Sequence, residues 1–202
     1  MVRRSQTKRG VRNMCGRYVL FADWDLKEIQ EIIEEVQRKN ETFKTGEIFP
    51  TDKAPILIQK QNRVTPEAVA WGFPHNYNKG VIINARVETV QERPMFRNCL
   101  SARRCVIPST GFFEWSHDAN KVKYRFNLPG TDVLYMAGLY NEFQGERRFV
   151  ILTTAANFSM QDVHDRMPVV LDANGKSRWL EDMQGAMEML NHVPPELMKK
   201  PA

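Results

Sequence analysis

With 202 residues, 42% of them hydrophobic and 26% charged, the chain has the composition of one globular domain with a sizeable core. Its longest near-continuous apolar stretch, 133–140, falls far short of the roughly 18 residues of a membrane-spanning helix, and eleven Gly and eleven Pro are too few for a low-complexity chain. The net charge of +5 resides in residues 1–13, which carry Arg3, Arg4, Lys8, Arg9 and Arg12 and no acid; without those five, the basic residues equal the 24 acids, so net charge alone assigns no nucleic-acid partner.

Residues 1–13 lack the apolar core of a secretory signal and read as a basic leader ahead of one domain, 14–202. Three cysteines (Cys15, Cys99, Cys105) are odd in number and sparse, which points to a reducing cytoplasm rather than a disulfide framework. Four scattered histidines and no C-x-x-C pair argue against a structural zinc site. No P-loop or G-x-G-x-x-G is present, and no cofactor or metal is expected.

The first predicted element is a strand at 17–21. A helix follows, with Leu26, Ile29, Ile32, Ile33 and Val36 on one face and Asp25 with Glu28 as its capping box. After a polar loop, strands are predicted at 55–59, 64–71, 81–85, 104–107 and 112–115. In 121–128, Val122, Tyr124 and Phe126 alternate with Lys123 and Arg125, the pattern of a half-buried strand. Residues 134–140 and 148–153 read as a buried pair joined through Gln144-Gly145, and short helices are predicted at 159–163, 176–182 and 185–191. The expectation is a single α+β domain on a largely antiparallel, barrel-like sheet with peripheral helices. Charge is locally segregated: 23–35 holds six acids and one Lys, whereas 86–104 holds five Arg against Glu88 and Glu92.

Four places carry residues fit for chemistry. Met14-Cys15-Gly16-Arg17 puts a thiol just ahead of the first strand. An internal Cys is a small hydrophobe; translation from Met14 and removal of that methionine would instead make Cys15 the N-terminus. An α-amine with a pKa of about 7.7–8.0 is partly neutral near pH 7 and attacks aldehydes. The adjacent thiol, with a pKa of about 8.5, then closes on the imine carbon to give a thiazolidine. Asn84-Ala85-Arg86-Val87-Glu88-Thr89 leaves a strand as a run of polar groups, either a turn with a surface ion pair or a site. In Gly111-Phe112-Phe113-Glu114-Trp115 the carboxylate is either solvent-facing or desolvated among aromatics. His164-Asp165-Arg166-Met167-Pro168 offers an acid–base histidine or a surface His at a helix end.

In order, these segments, together with Trp71-Gly72, Met95-Phe96, Arg104-Cys105, Ala137-Gly138-Leu139-Tyr140 and Trp179-Leu180, resemble the SOS-response-associated peptidase (SRAP) family of abasic-site-processing proteins. The resemblance implies a monomeric, cytoplasmic, non-membrane enzyme that binds single-stranded DNA containing abasic sites. It implies capture of the ring-opened sugar as a thiazolidine DNA–protein crosslink by lyase-like chemistry, with Cys15 supplying amine and thiol. Glu114 would move protons during attack and closure, His164 would assist sugar-ring opening, and Asn84 would position the sugar or the cysteine. Arg17, Arg86 and Arg166 would hold phosphates, and Trp71 and Trp115 would line the site or stack on DNA. The chain differs where many members carry Tyr-Asn-x-Ala-Pro, reading Ile48-Phe49-Pro50-Thr51-Asp52 instead. Because an amide nitrogen forms no Schiff base, residues 1–13 are expected to be absent from the active protein, by a start at Met14 or by cleavage at the Cys15, Glu114 and His164 site. Two other readings use the same residues: a cysteine peptidase with Cys15 as nucleophile and His164 as base, and a non-covalent single-strand-binding module.

Overall fold

The structure is a computed structural model that describes residues 16–22, 26–75, 79–117, 119–172 and 174–202. In chain order its first elements are β1 (Tyr18–Leu20), α1 (Lys27–Arg38), β2 (Gly46–Ile48), β3 (Lys53–Lys60), β4 (Arg63–Trp71), β5 (Phe73–Pro74), β6 (Val81–Ile82) and β7 (Asn84–Arg86). The middle of the chain forms α2 (Pro94–Ala102), β8 (Arg104–Ser109), β9 (Gly111–Trp115), β10 (Lys123–Asn127), β11 (Leu134–Phe143) and β12 (Glu146–Ala155). Last come β13 (Arg166–Pro168), β14 (Val170–Leu171), α3 (Gly175–Glu181), α4 (Met183–Met189) and β15 (Met198–Pro201).

Five strands close on themselves in the order β12-β4-β3-β8-β11 and back to β12, a barrel whose only parallel contact is β12 with β4. Closure removes the exposed edges that an open sheet of these apolar strands would present. Two hairpins start it. Gln61 and Asn62 (φ 45° and 61°) join β3 to β4, and Gln144 and Gly145 (φ 52° and 81°) join β11 to β12. Two successive left-handed residues match the strands' twist. Residues of one register then alternate between two environments. Ile56, Ile58, Trp71, Ile107, Met136, Phe149 and Ile151 fill the interior, whereas Leu57, Val106, Leu139, Val150 and Leu152 face outward under Phe96 and Leu100 of α2 and Trp179 and Leu180 of α3.

A second sheet, β15-β10-β9-β1-β2, lays Tyr18, Leu20, Ile48, Phe112 and Phe126 against the same interior. Helix α1 joins the core through Ile29, Ile32, Ile33 and Val36, the apolar stripe read from its period.

Gly138 is where β8, β11 and β12 come too close for a side chain. A Cβ there would lie 2.7 Å from the Val150 carbonyl oxygen and 3.1 Å from Cys105 Sγ, and closer still to Ile107 Cδ1. Gly138→Ala is expected to destabilise the fold by about 1–3 kcal/mol through overpacking, read as a lower urea midpoint at unchanged slope.

Some elements depart from the sequence-based expectation. Residues 159–163 form successive turns rather than a helix. Asn157 Oδ1 accepts from the Ser159 N–H and hydroxyl while its amide donates to the Pro194 and Pro195 carbonyls, an arrangement that holds the segment out of helical register. The expected strand 81–85 divides into β6 and β7 at Ile83. Elements without a counterpart in the sequence-based expectation include β2, α2 and β15 and the two-residue strands β5 and β14. Of the expected capping box, Asp25 lies outside the described residues; the cap position is Leu26, which makes no side-chain cap, and Glu28 pairs with Lys176 instead. Among the described residues no helix is long and apolar enough to cross a membrane.

Candidate active site at the barrel rim

The C-terminal half of β12 lies between two short strands. On one side β7 runs parallel, pairing Asn84 with Ile151 and Arg86 with Thr153. On the other, β13 runs antiparallel, pairing Thr153 with Pro168 and Ala155 with Arg166. The segments 84–89 and 164–168, some eighty residues apart in sequence, thus meet across one strand. Because directly paired residues share a face, Asn84, Arg86 and Arg166 stand on the side of the sheet that Ile151 fills deeper in. Asn84 is half-buried and Arg86 exposed at the strand end. Arg166, only 14% exposed, is clamped: Nη1 and Nη2 donate to Glu88 Oε1 and Oε2 at 2.5 and 2.9 Å, and Nη2 also donates to the Thr153 carbonyl at 2.6 Å. Its guanidinium holds the Glu88 carboxyl below the usual range, chiefly through those hydrogen bonds.

The five-stranded sheet brings the acid. Glu114 sits on β9 opposite Tyr124 and on the barrel-facing side with Phe112, and it is 6% exposed. The choice left open by sequence therefore resolves to a desolvated carboxyl. His164, 5% exposed, ends the turns before β13 and places Nε2 3.8 Å from Glu114 Oε1. The Arg166 amide donates to His164 Nδ1 at 3.0 Å, so the neutral ring carries its hydrogen on Nε2, towards Glu114. Asp165 Oδ1 also approaches Nδ1 at 2.9 Å, from a side chain that is 86% exposed; it stabilises the ring only when Nδ1 is protonated. Burial pushes the His164 pKa down, Asp165 opposes this, and the nearby His117 and Arg166 push it down further.

The chain enters β1 beside this pair. Tyr18 is in register with Phe112, and the Phe113 N–H donates to the Arg17 carbonyl at 2.9 Å, so the ladder extends to the residue after Gly16. A Cβ built on Gly16 would lie 4.0 Å from Cδ1 of Ile83, the neighbour of Asn84. Gly16 therefore lies between the Asn84 strand and the Glu114 strand. Cys15, the residue before it in the chain, lies outside the described residues, as does the whole of 1–13.

Arg17 turns the other way. Its guanidinium stacks 4.3 Å over the Phe49 ring and 5.1 Å from that of Trp115, and Nη1 pairs with Glu47 at 3.1 Å. Trp115 is half-buried there. Trp71 requires a correction. It is wholly buried, donates Nε1–H to the Ile83 carbonyl at 3.0 Å and packs on Tyr18 and Phe149, so no base can stack on it. It supports the strand that leads into Asn84.

Sequence reasoning passed over His117, whose ring lies 4.9 Å from that of His164. An exposed lone histidine three residues after Glu114 has no signature in a single sequence. His117→Ala removes one cause of the lowered His164 pKa, so any activity that needs neutral His164 is expected to lose its acid limb at higher pH than wild type. The stability sign follows as well. A histidine whose pKa falls on folding binds fewer protons in the native state, so stability drops as pH falls through about 6.5, and less so in His117→Ala. Rate and urea midpoint measured across that range check both.

Among the described residues no group of three His, Cys, Asp or Glu side chains is placed to hold a metal ion. Residues 14–200 match the family described as SOS response associated peptidase (SRAP). The chain is 31% identical over 179 residues to abasic site processing protein YoqW of Bacillus subtilis, covering 83% of this chain and 80% of that protein. It is 28% identical over 180 residues to abasic site processing protein YedK of Escherichia coli, covering 83% and 79%. A crystal structure of a Bacteroides thetaiotaomicron protein matches with a TM-score of 0.74 over 93% of this chain and 91% of that one, at 23% identity, a likeness of fold.

Proposed function

The chain belongs to the SOS response associated peptidase family, and on that premise we propose that it processes abasic sites in single-stranded DNA by capturing them covalently on Cys15. The observation that carries this reading is the buried Glu114–His164 pair, 3.8 Å apart, beside the strand that Cys15 leads into. With the leader absent, the Cys15 α-amine adds to the C1′ aldehyde of the ring-opened sugar. The carbinolamine loses water to give an imine. The thiol then adds to the imine carbon, its proton passing to the nitrogen, and a thiazolidine closes.

Each step moves a proton, and the two buried groups are placed to move them. Glu114 accepts one from the attacking nitrogen and returns it to the departing hydroxyl. His164, bearing hydrogen on Nε2, donates a hydrogen bond to the sugar ring oxygen as the ring opens, while Glu114 relays the C1′ hydroxyl proton to that oxygen. Asn84 orients the sugar. Arg86 contacts phosphate directly, and Arg166 joins it by exchanging Glu88 for phosphate; these contacts position without reading sequence. A site that has lost its base is cheaper to extrude than an intact nucleotide.

Incubation with an abasic single-stranded oligonucleotide followed by a denaturing gel tests the reading. A heat-stable shifted band supports capture. Cleavage of unrelated peptides without that band would support the peptidase, and salt-sensitive binding alone the non-covalent module.

A further inference from the structure

The five-stranded sheet has a second face. Alternation sends Glu114 and Tyr124 towards the barrel and Trp115, Lys123 and Arg125 the other way, and Lys200 of β15 is in register with Arg125 on that outward side. Cations and rings interleave along it. Lys123 Nζ lies 3.7 Å over the Phe113 ring and 5.8 Å from that of Trp115, and the Arg125 guanidinium lies 5.4 Å from the ring of Phe21, which is 45% exposed. At the far end a cavity of about 370 Å³ opens between β10, residues 128–132 and β15, with Arg125, Asn127, Asp132 and Lys200 in its wall.

Arg125 is held there by its backbone partner. Its Nη2 and Asn127 Nδ2 both donate to the Thr110 carbonyl at 2.8 Å, and its buried Nε makes no hydrogen bond. Arg17 and Lys123 share one acid, Glu47. Among the described residues neither Arg125 nor Lys200 has an ion-pair partner, and Asp132 is the sole acid in the cavity wall.

We propose that this outer face is a second track for single-stranded DNA, running from Arg17 and Trp115 to the Arg125–Lys200 cavity. It rests on the capture reading for the identity of its ligand. Lys123 and Arg125, two residues apart on one side of a strand, set cations about 7 Å apart along the track. Four cations against Glu47 and Asp132 complement a phosphate backbone, and the exposed ring of Phe21, with the half-buried ring of Trp115, accepts bases of any sequence. The track carries the strand flanking the lesion and takes no part in the covalent step.

The test measures binding of unmodified single strands by fluorescence anisotropy across a salt series, with Lys200→Glu and, separately, Arg125→Gln in the protein that begins at Cys15. Lys200→Glu is expected to weaken a long strand several-fold and flatten its salt slope by about one or more, while a short abasic oligonucleotide crosslinks at the wild-type rate. Arg125→Gln also removes the Thr110 anchor; if it unfolds, Lys200→Glu alone decides. Wild-type affinity and salt slope in Lys200→Glu would overturn the track. Failure of wild type to crosslink any abasic strand would overturn the capture reading instead, and would leave the salt-slope result to judge the track.

Discussion

Cys15→Ser, made in a protein that begins at that residue, is expected to form no heat-stable adduct with abasic DNA. The serine variant keeps the α-amine, so it still condenses with the aldehyde, but the resulting imine has no sulfur to trap it. The product is reversible: water returns the aldehyde, or elimination of the 3′ phosphate cleaves the strand. Borohydride reduction before denaturation should therefore restore a shifted band for Cys15→Ser, and wild type should need no reductant. The effect is all-or-none because sulfur supplies the bond that makes capture permanent. A stable, reductant-independent adduct with serine at this position would sink the thiazolidine.

The second large effect is expected from the buried pair. Glu114→Gln keeps the shape of β9 and removes a proton acceptor; His164→Ala removes the ring that faces it. Each is expected to slow crosslinking by about 10²–10⁴-fold with little change in affinity for intact single-stranded DNA, because neither side chain reaches solvent to meet a phosphate. Arg86→Ala should do the opposite, weakening binding and flattening its salt dependence. Stopped time courses at saturating protein separate rate from affinity. Equal loss of both in all three variants would contradict the division of roles.

Some of this molecule was legible in its sequence because the signal is local. The β11–β12 hairpin announces itself through Gln144-Gly145 between apolar runs, and α1 through Ile29, Ile32, Ile33 and Val36. Barrel closure is not local. It rests on β12 pairing in parallel with β4, where Phe149 meets Trp71 from far along the chain, and no spacing along the chain encodes that. Helix α2 escaped notice because it is only nine residues long and buries just Phe96, Cys99 and Leu100 between arginines. Strand β15 escaped because Met198–Pro201 is an edge strand whose charged residues carry no alternation; pairing with β10 makes it a strand.

The site divides in the same way. Glu114 and His164 are residue types fit for acid–base chemistry, yet only the fold reveals that both are desolvated and face each other. Arg166 is another case of information held by the fold: an arginine beside a histidine suggests a free phosphate contact, while the structure clamps it to Glu88. Trp71 inverts expectation, since a tryptophan at a strand end looks like a stacking platform and is a core residue here. Glu47 and Lys123, which flank Arg17 and Trp115, have no sequence feature beyond ordinary surface charge.

The proposed capture requires Cys15 to act as an N-terminal amino acid, with residues 1–13 removed or never translated. Intact-mass measurement of the natively expressed protein, before and after incubation with an abasic oligonucleotide, tests it directly. The predicted result is a protein beginning at Cys15 and an adduct equal to protein plus oligonucleotide less one water, the balance of imine formation followed by thiol addition. An adduct formed by a protein that still carries the full leader would contradict the mechanism, because an amide nitrogen at Cys15 cannot form the imine.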